Sequence, residues 1–406
     1  MPHEGRASWF LKAVAYLTTA GVTVFSHPVE GIEWDTLLSV SPQYRRFLEA
    51  PLDNNQSERN LSLALRAEIL GGWNNDADIV HFIPFWRLDN ADENRTHGDI
   101  RTASWTHIGD GWETVFGISK VFWGVTESQH LVDIVNQTDL VENPNSEKKL
   151  GQPMLDLTLF RSWGTLDLLI LGKFRERTFP GREGRLRPTI PVDETLSVVE
   201  RKAANADLAM RWSQHIGDWD LAMSHFSGTS REPNLVITEL LSGGLVLQPV
   251  YPLINQSGLE VQVTKGEWLW KLETIHRRGG GQDHSASVFG FEYTRFGVFN
   301  TASDLGLIAE YNYDSRGKDS TSGLGNDLFL AVRWQANDVD DIQLLVGSML
   351  GMDSDGDFLI LEGSRRVGDS SMLSIDGRIF VHPSKEDAFF SLRKDSFLQI
   401  GIEFFF

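Results

Sequence analysis

From Leu61 onward the chain keeps one rhythm: apolar and polar residues alternate over short runs, and each run breaks at Gly, Asp or Asn. A period of two puts successive side chains on opposite faces of an extended strand, so every run presents one apolar and one polar face. In "LSLALRAEI" the residues Leu61, Leu63, Leu65, Ala67 and Ile69 share a face, with Ser62, Ala64, Arg66 and Glu68 on the other. Leu259, Val261 and Val263 oppose Glu260, Gln262 and Thr264 in the same way. Leu328, Leu330, Val332 and Trp334 oppose Asp327, Arg333 and Gln335. The breaks "HIGDGWE" (107–113), "RSWGTLD" (161–167), "QHIGDWD" (214–220) and "TKGEWLW" (264–270) are short and contain Gly, which predicts hairpins and hence antiparallel pairing. The pattern predicts about 16 strands, within a range of roughly 14 to 18, between 61 and 406. Helical spacing is confined to "TLLSVSPQYRRFLEA" (36–50) and "TESQHLVDIVNQTDLVEN" (126–143).

The polar faces decide what such a sheet encloses. They carry full charges of both signs: Arg66 and Glu68, Asp207 and Arg211, Lys271 and Glu273, Asp376 and Arg378, with Glu310 and Arg333 on two further runs. Burying ions in a dry core costs several kcal/mol each even after pairing, whereas a water-filled lumen removes that cost. Trp105, Trp112, Trp163, Trp212, Trp219, Trp268, Trp270 and Trp334 fall near strand ends, where aromatic girdles of a membrane barrel would lie. The expected fold is therefore all-β, a transmembrane antiparallel up-and-down barrel with a short helical segment in one loop. The rival architecture is a pair of stacked soluble sandwiches whose charged faces are simply outer ones.

Composition narrows the function. With 37 Lys and Arg against 56 Asp and Glu, the net charge of -19 argues against a nucleic-acid surface. The absence of cysteine excludes disulfides, thiolate metal sites and thiol nucleophiles. Arg6 and Lys12 precede the uncharged stretch Ala13 to Phe25, the layout of an export signal, so 1–28 is expected to be a signal peptide and 29–58 a periplasmic or plug segment ahead of a barrel over 59–406.

The chain ends "SFLQIGIEFFF", which puts Leu398, Ile400, Ile402, Phe404 and Phe406 on one face. A last strand of this kind resembles the C-terminal signal of bacterial outer-membrane barrels, and the resemblance implies that Phe404 and Phe406 engage the barrel insertion machinery. A broader likeness rests on 112–143, where a strand runs into Trp123-Gly124 and then Asp133, Asn136 and Asp139 at D-x-x-N-x-x-D spacing, and on the hairpin at 251–273. These segments are similar to porin-like outer-membrane proteins of the DUF1302 kind and to alginate-export-like barrels. The resemblance implies roughly 16 to 18 strands and a transport role. A dense run of lumen arginines, expected of an alginate exporter, is not present.

Two segments stand out as candidate sites. Arg175, Arg177, Arg182, Arg185 and Arg187 lie in 173–194 among Pro and Gly that forbid regular structure, and a loop so basic is expected either to form a pore constriction that holds carboxylates or phosphates or to stay external. Asp133, Asn136 and Asp139 would share one face of a short helix and anchor the loop. "MDSDGDFLILE" (352–362) departs from a calcium loop, because Gly356 precedes Asp357 and Ser364 occupies the twelfth position; no metal or cofactor is expected. Ser224, His225 and Ser227 do not make a relay, since neighbouring strand residues point opposite ways. The reading is a non-enzymatic outer-membrane channel, in contact with lipid and lipopolysaccharide, that passes a small polar or charged solute along Arg66, Arg211, Lys271, Arg333 and Arg378 opposite Glu68, Asp207, Glu273, Glu310 and Asp376. The alternatives are a polysaccharide exporter, a barrel enzyme and a closed structural barrel.

Overall fold

The computed structural model describes residues 31–406 apart from 144–147, 201–205, 354–355, 382, 384 and 386. The expected signal peptide lies outside the described residues. The alternating runs fold as strands: β1 (Glu33–Phe47), β2 (Arg59–Trp73), β3 (Asp78–Asp89), β4 (His97–Gly109), β5 (Trp112–Ser119), β6 (Gln152–Arg161) and β7 (Gly164–Leu171). A minor strand β8 (Val198–Val199) precedes β9 (Asp207–Ile216) and β10 (Trp219–Thr229). After β11 (Asn234–Glu239) and β12 (Leu245–Tyr251) come β13 (Leu253–Lys265), β14 (Trp268–Gly279), β15 (His284–Arg295), β16 (Asp304–Asp314), β17 (Asn326–Gln335), β18 (Gln343–Gly351), β19 (Asp357–Arg366), β20 (Ser371–Val381) and β21 (Phe397–Phe405). Among the described residues β8, β11 and β12 form a separate three-stranded sheet. The other 18 strands pair in chain order and close on themselves through β1 and β21.

The four quoted hairpins pair across their breaks as Gly109 with Trp112, Arg161 with Gly164, Ile216 with Trp219 and Lys265 with Trp268. Gly111, Gly217 and Gly266 supply the positive φ (74°, 62° and 63°) that such tight turns require. All four lie at one end of the barrel, and the longer loops lie at the other.

The outer wall is apolar. Met223, Phe289, Leu330, Val346, Leu359, Ile379 and Ile400 point outward and are exposed, a continuous surface far larger than a water-soluble protein tolerates. Outward Trp212, Trp219, Trp268, Trp270 and Trp334 gather toward the tight-turn end. Trp268 and Trp270 stack there at 5.7 Å and pack with Phe291 and Tyr293 of β15. No helix among the described residues is long and apolar enough to cross a membrane.

Three expectations need correction. The barrel has 18 strands among the described residues, against about 16 expected. One strand escaped notice because 33–47, read as plug and partly helical, is β1. It pairs with β2 along Glu33 to Arg46 and with β21, where the ladder skips Ser41 and Pro42 because proline lacks the N–H. The helical segment at 126–143 is also absent: only isolated 3₁₀ turns occur among the described residues, none of them in that loop. On β21 the register pairs Val40 with Phe404 and Ser39 with Phe405. Phe404 and Phe406 therefore face outward, and Phe405 faces the lumen.

Candidate functional site

The described residues of the loop from Lys120 to Gly151, 120–143 and 148–151, leave β5 and, instead of staying outside, fold into the barrel. Trp123, Val132, Ile134 and Val135 are at most 4% exposed. They pack on inward residues of consecutive strands: Met154 on β6, Leu169 and Leu171 on β7, Ala209, Phe226, Ile254, Ile275 and Ala286 on β9, β10, β13, β14 and β15. This stretch of inner wall is apolar because the loop covers it. Each large apolar side chain so buried contributes about 1.5 to 3 kcal/mol.

Two wall carboxylates seat the loop. Glu273 of β14 accepts hydrogen bonds from the N–H groups of Val125 (2.7 Å), Thr126 (3.0 Å) and Val132 (3.3 Å) and from the Thr126 hydroxyl (2.7 Å). Glu310 of β16 accepts from the N–H groups of Glu127 (2.9 Å) and Ser128 (2.7 Å) and from the Ser128 hydroxyl (2.7 Å). Both side chains are buried, and successive main-chain N–H groups turned toward a carboxylate make strong charge-assisted bonds. Gly124 permits the turn: its φ is +135°, and a Cβ there would lie 3.0 Å from Glu273 Oε1. Glu127 then reaches Arg333 (2.6 Å), which also bonds Glu292 (3.0 Å), beside Lys271 (3.7 Å).

The residues of the D-x-x-N-x-x-D pattern sit in turns and extended loop, not on a helix face. Asn136 is fully buried and ties the neck of the loop, accepting from Val121 N–H (2.8 Å) and donating to the carbonyls of Ser119 and Leu150 (3.0 Å each). Asp133 pairs with Lys149 (3.2 Å). Asp139 accepts from Arg101 (2.5 Å) and from Thr178 of the next long loop (2.7 Å). Arg101 reaches it because the β3–β4 ladder shifts register at Ile83/Pro84, leaving Arg101 as an extra residue between paired Ile100 and Thr102.

The arginines of 173–194 brace loops to one another. Arg175 bonds Asp99 (2.7 Å) and the Gly151 carbonyl (2.8 Å), and Arg177 bonds Gln137 (3.3 Å). Arg185 pairs with Asp395 (2.6 Å), Arg187 donates to the carbonyls of Arg182, Pro188 and Thr189, and Arg182 is exposed. None of the five borders the cavity between loop 120–151 and β1–β4, whose loop-side lining comes from 120–122, 142, 148 and 149.

Opposite the covered wall, a cavity of about 470 Å³ lies between the loop and β1, β2, β3, β4 and β21. It is lined by Arg66, Arg87, Arg101, Lys120, Lys148 and Lys149, with Glu142 and Glu403 as the lining carboxylates. Of the ten expected pore-lining residues, all on the inward face, Arg66 alone borders it. Glu273 and Glu310 are covered by the loop, and the rest pair along the wall, as Arg211 with Glu260 (2.9 Å), Arg378 with Asp376 (2.9 Å) and Arg66 with Glu68 (2.5 Å). Asp207 is buried beside Arg231 (3.0 Å). Sequence reasoning missed Arg87, Arg101, Lys120, Lys148 and Lys149. Arg87 stands on the same alternation that exposed Arg66, but the others depend on a bulge and on a loop returning to the lumen.

Glu142, on this loop, binds Arg87 with both oxygens (2.7 and 2.8 Å). Burial pushes its carboxyl up, but the charge and hydrogen bonds of Arg87, then the charges of Arg95 and Arg101, outweigh burial and hold it at about 2. Glu232, between β10 and β11, is likewise held at about 2, burial being outweighed by Arg277 and Arg177. A depressed carboxyl stabilises the fold fully above its ordinary value of about 4.5, and that stabilisation, roughly 3 kcal/mol for Glu142, disappears as pH falls toward 2. Loop 120–151 should therefore become protease-sensitive between about pH 4.5 and 2, reversibly on neutralisation; equal cleavage by an acid protease at both ends of that window would contradict it.

No family model matches the chain, and no curated protein matches its sequence. The DUF1302-like and alginate-export-like resemblance thus stays a proposal. Among solved structures, the chain is similar to an in-vitro folded outer-membrane protein OmpT of Vibrio cholerae in trimer form (10% identity over 93% of this chain and 100% of that one, TM-score 0.48). It is also similar to the outer-membrane expressed OmpT of Vibrio cholerae (9% identity, 94% and 99% covered, TM-score 0.44) and to a mutant of the Rh. blastica porin (10% identity, 92% and 100% covered, TM-score 0.43).

Proposed function

We propose that the chain is a porin-like channel of a bacterial outer membrane, through which small polar or charged solutes diffuse. The observation that carries this reading is the division of the lumen. The inner face from β6 to β16 is covered by loop 120–151, held by Glu273 and Glu310, while a charged cavity stays beside β1–β4 and β21. A structural plug would need to fill both. The apolar outer wall supports a seat in hydrocarbon, with lipid and lipopolysaccharide as its surroundings.

The placement of Ser224 and His225 supports a non-enzymatic role. Ser224 faces the lumen near Val132, while His225 points outward to Ser257 (2.9 Å), so the two do not form a relay. The finer assignment to a DUF1302-like or alginate-export-like group rests on the quoted segments 112–143 and 251–273. The test is planar-bilayer recording of the purified protein. Stepwise conductance that persists at low voltage is expected, and a barrel that inserts without conducting would sink the proposal.

A further inference from the structure

The cavity between loop 120–151 and the β1–β4 wall has a charge balance opposite to that of the chain. Six cations and two carboxylates line it, in a protein whose net charge is -19. Most of the cations are partly satisfied from behind. Arg87 is held by Glu142, Arg101 by Asp139 and Asp99, and Lys149 by Asp133. Arg66 uses one terminal nitrogen on Glu68.

Lys120 and Lys148 differ from these, because neither makes an ion pair among the described residues. They stand at the two ends of the loop, and Asn136 ties those ends together by bonding Ser119, Val121 and Leu150. Both ammonium groups are thus carried on one braced neck, beside the Arg66 and Arg101 guanidinium groups of the wall. Glu403 is the one lining carboxylate without an ion pair among the described residues.

Lys120 registers the resulting field. It is open to the lumen, yet the surrounding protein withdraws it from bulk water, and this, followed by the charges of Arg101, Lys148 and Arg66, pulls its ammonium below the ordinary lysine range. Cations crowded in this way are relieved by an incoming anion. Guanidinium groups add planar, paired donors suited to carboxylate or phosphate oxygens. The volume admits a small solute together with part of its water.

We propose that this cavity is a saturable binding site for a small doubly charged oxyanion, held between Lys120 and Lys148 on the loop and Arg66 and Arg101 on the wall, and that it makes the channel anion-preferring. This rests on the channel reading. Dicarboxylates and inorganic phosphate share the required chemistry, and the two are separated by experiment.

In planar bilayers under a potassium chloride gradient, the reversal potential should report chloride preference, and succinate or phosphate should block the chloride current at a concentration at least tenfold below that of acetate. The order of succinate and phosphate names the source of the dianion. In Lys120→Gln/Lys148→Gln the half-blocking concentration should rise about tenfold or more and the chloride preference should fall, while Lys265→Gln at the tight-turn end should change neither. Cation preference, or block by acetate as strong as by succinate, would overturn the site while leaving the channel in place. If the protein does not conduct, the channel reading fails, and calorimetry of succinate and phosphate with the detergent-solubilised protein decides the site alone: saturable binding lost in the double variant supports it, and no binding overturns it.

Discussion

Replacing Glu273 and Glu310 together by alanine is expected to enlarge the single-channel conductance several-fold and to expose loop 120–151 to protease. The two carboxylates accept the four main-chain N–H groups and both hydroxyls of the loop tip, Val125 to Ser128; the tip's other wall contacts are Glu127 with Arg333 and Ser128 with Asn312. Without them four successive main-chain N–H groups lose their acceptors, and each unsatisfied buried donor costs about 1 to 3 kcal/mol. The apolar contacts of Trp123, Val132, Ile134 and Val135 remain and oppose release, so a single substitution should loosen the tip while the double one detaches it. Glu→Gln at both positions keeps one acceptor oxygen per side chain and should fall between the wild type and the alanine pair. Unchanged conductance and unchanged proteolysis in the double alanine variant would mean that apolar packing alone seats the loop.

The second large effect concerns the closing seam between β1 and β21. Arg185 reaches that seam from the 173–194 loop, its guanidinium 4.3 Å from the Phe47 ring and bonded to Asp395 and to the Lys394 carbonyl. Its side chain is 1% exposed and that of Asp395 7%. Leu186 N–H holds the second oxygen of Asp395 (2.9 Å). Removing one partner of a buried pair leaves an uncompensated charge, at a cost of about 3 to 5 kcal/mol. Arg185→Met should therefore lower the temperature at which the barrel unfolds, read from its gel mobility after stepwise heating. Arg185→Met/Asp395→Asn should recover much of the loss, since the buried charge is then absent as well. Equal losses in the single and double variants would show that the arginine acts through its packing on Phe47 and not through the pair.

How far these features could be read beforehand depended on whether one period governed them. Alternation governs Leu61 to Ile69 and Leu328 to Gln335, so their faces were legible, as was the outward set Leu398, Ile400, Ile402, Phe404 and Phe406. Gly in a two-residue break fixed the hairpins at 111, 217 and 266 by the same local logic. β1 was not legible, because "TLLSVSPQYRRF" carries a helical spacing and a proline; closure against β2 and β21 overrides both. The loop was harder still. Asp133, Asn136 and Asp139 attracted notice through their spacing, but nothing periodic links Trp123 to Ile275 or Val125 to Glu273, which meet only after the barrel has closed. The arginine-rich stretch 173–194 misled for a related reason: its charge was conspicuous along the chain, and only the fold supplied Asp99, Asp395 and the carbonyls that absorb it.

At the tip of loop 120–151 the two wall glutamates bind four successive amide groups, which every residue except proline possesses. Two glutamates on the wall therefore fix the loop's position without reading the side chains at 125 and 127. The lysines that border the open cavity belong to its neck and take no part in that attachment. Position and selectivity are thus written in different atoms, so exchanging Lys120 and Lys148 for acidic or neutral residues could retune what passes while the frame that defines the opening stays where it is.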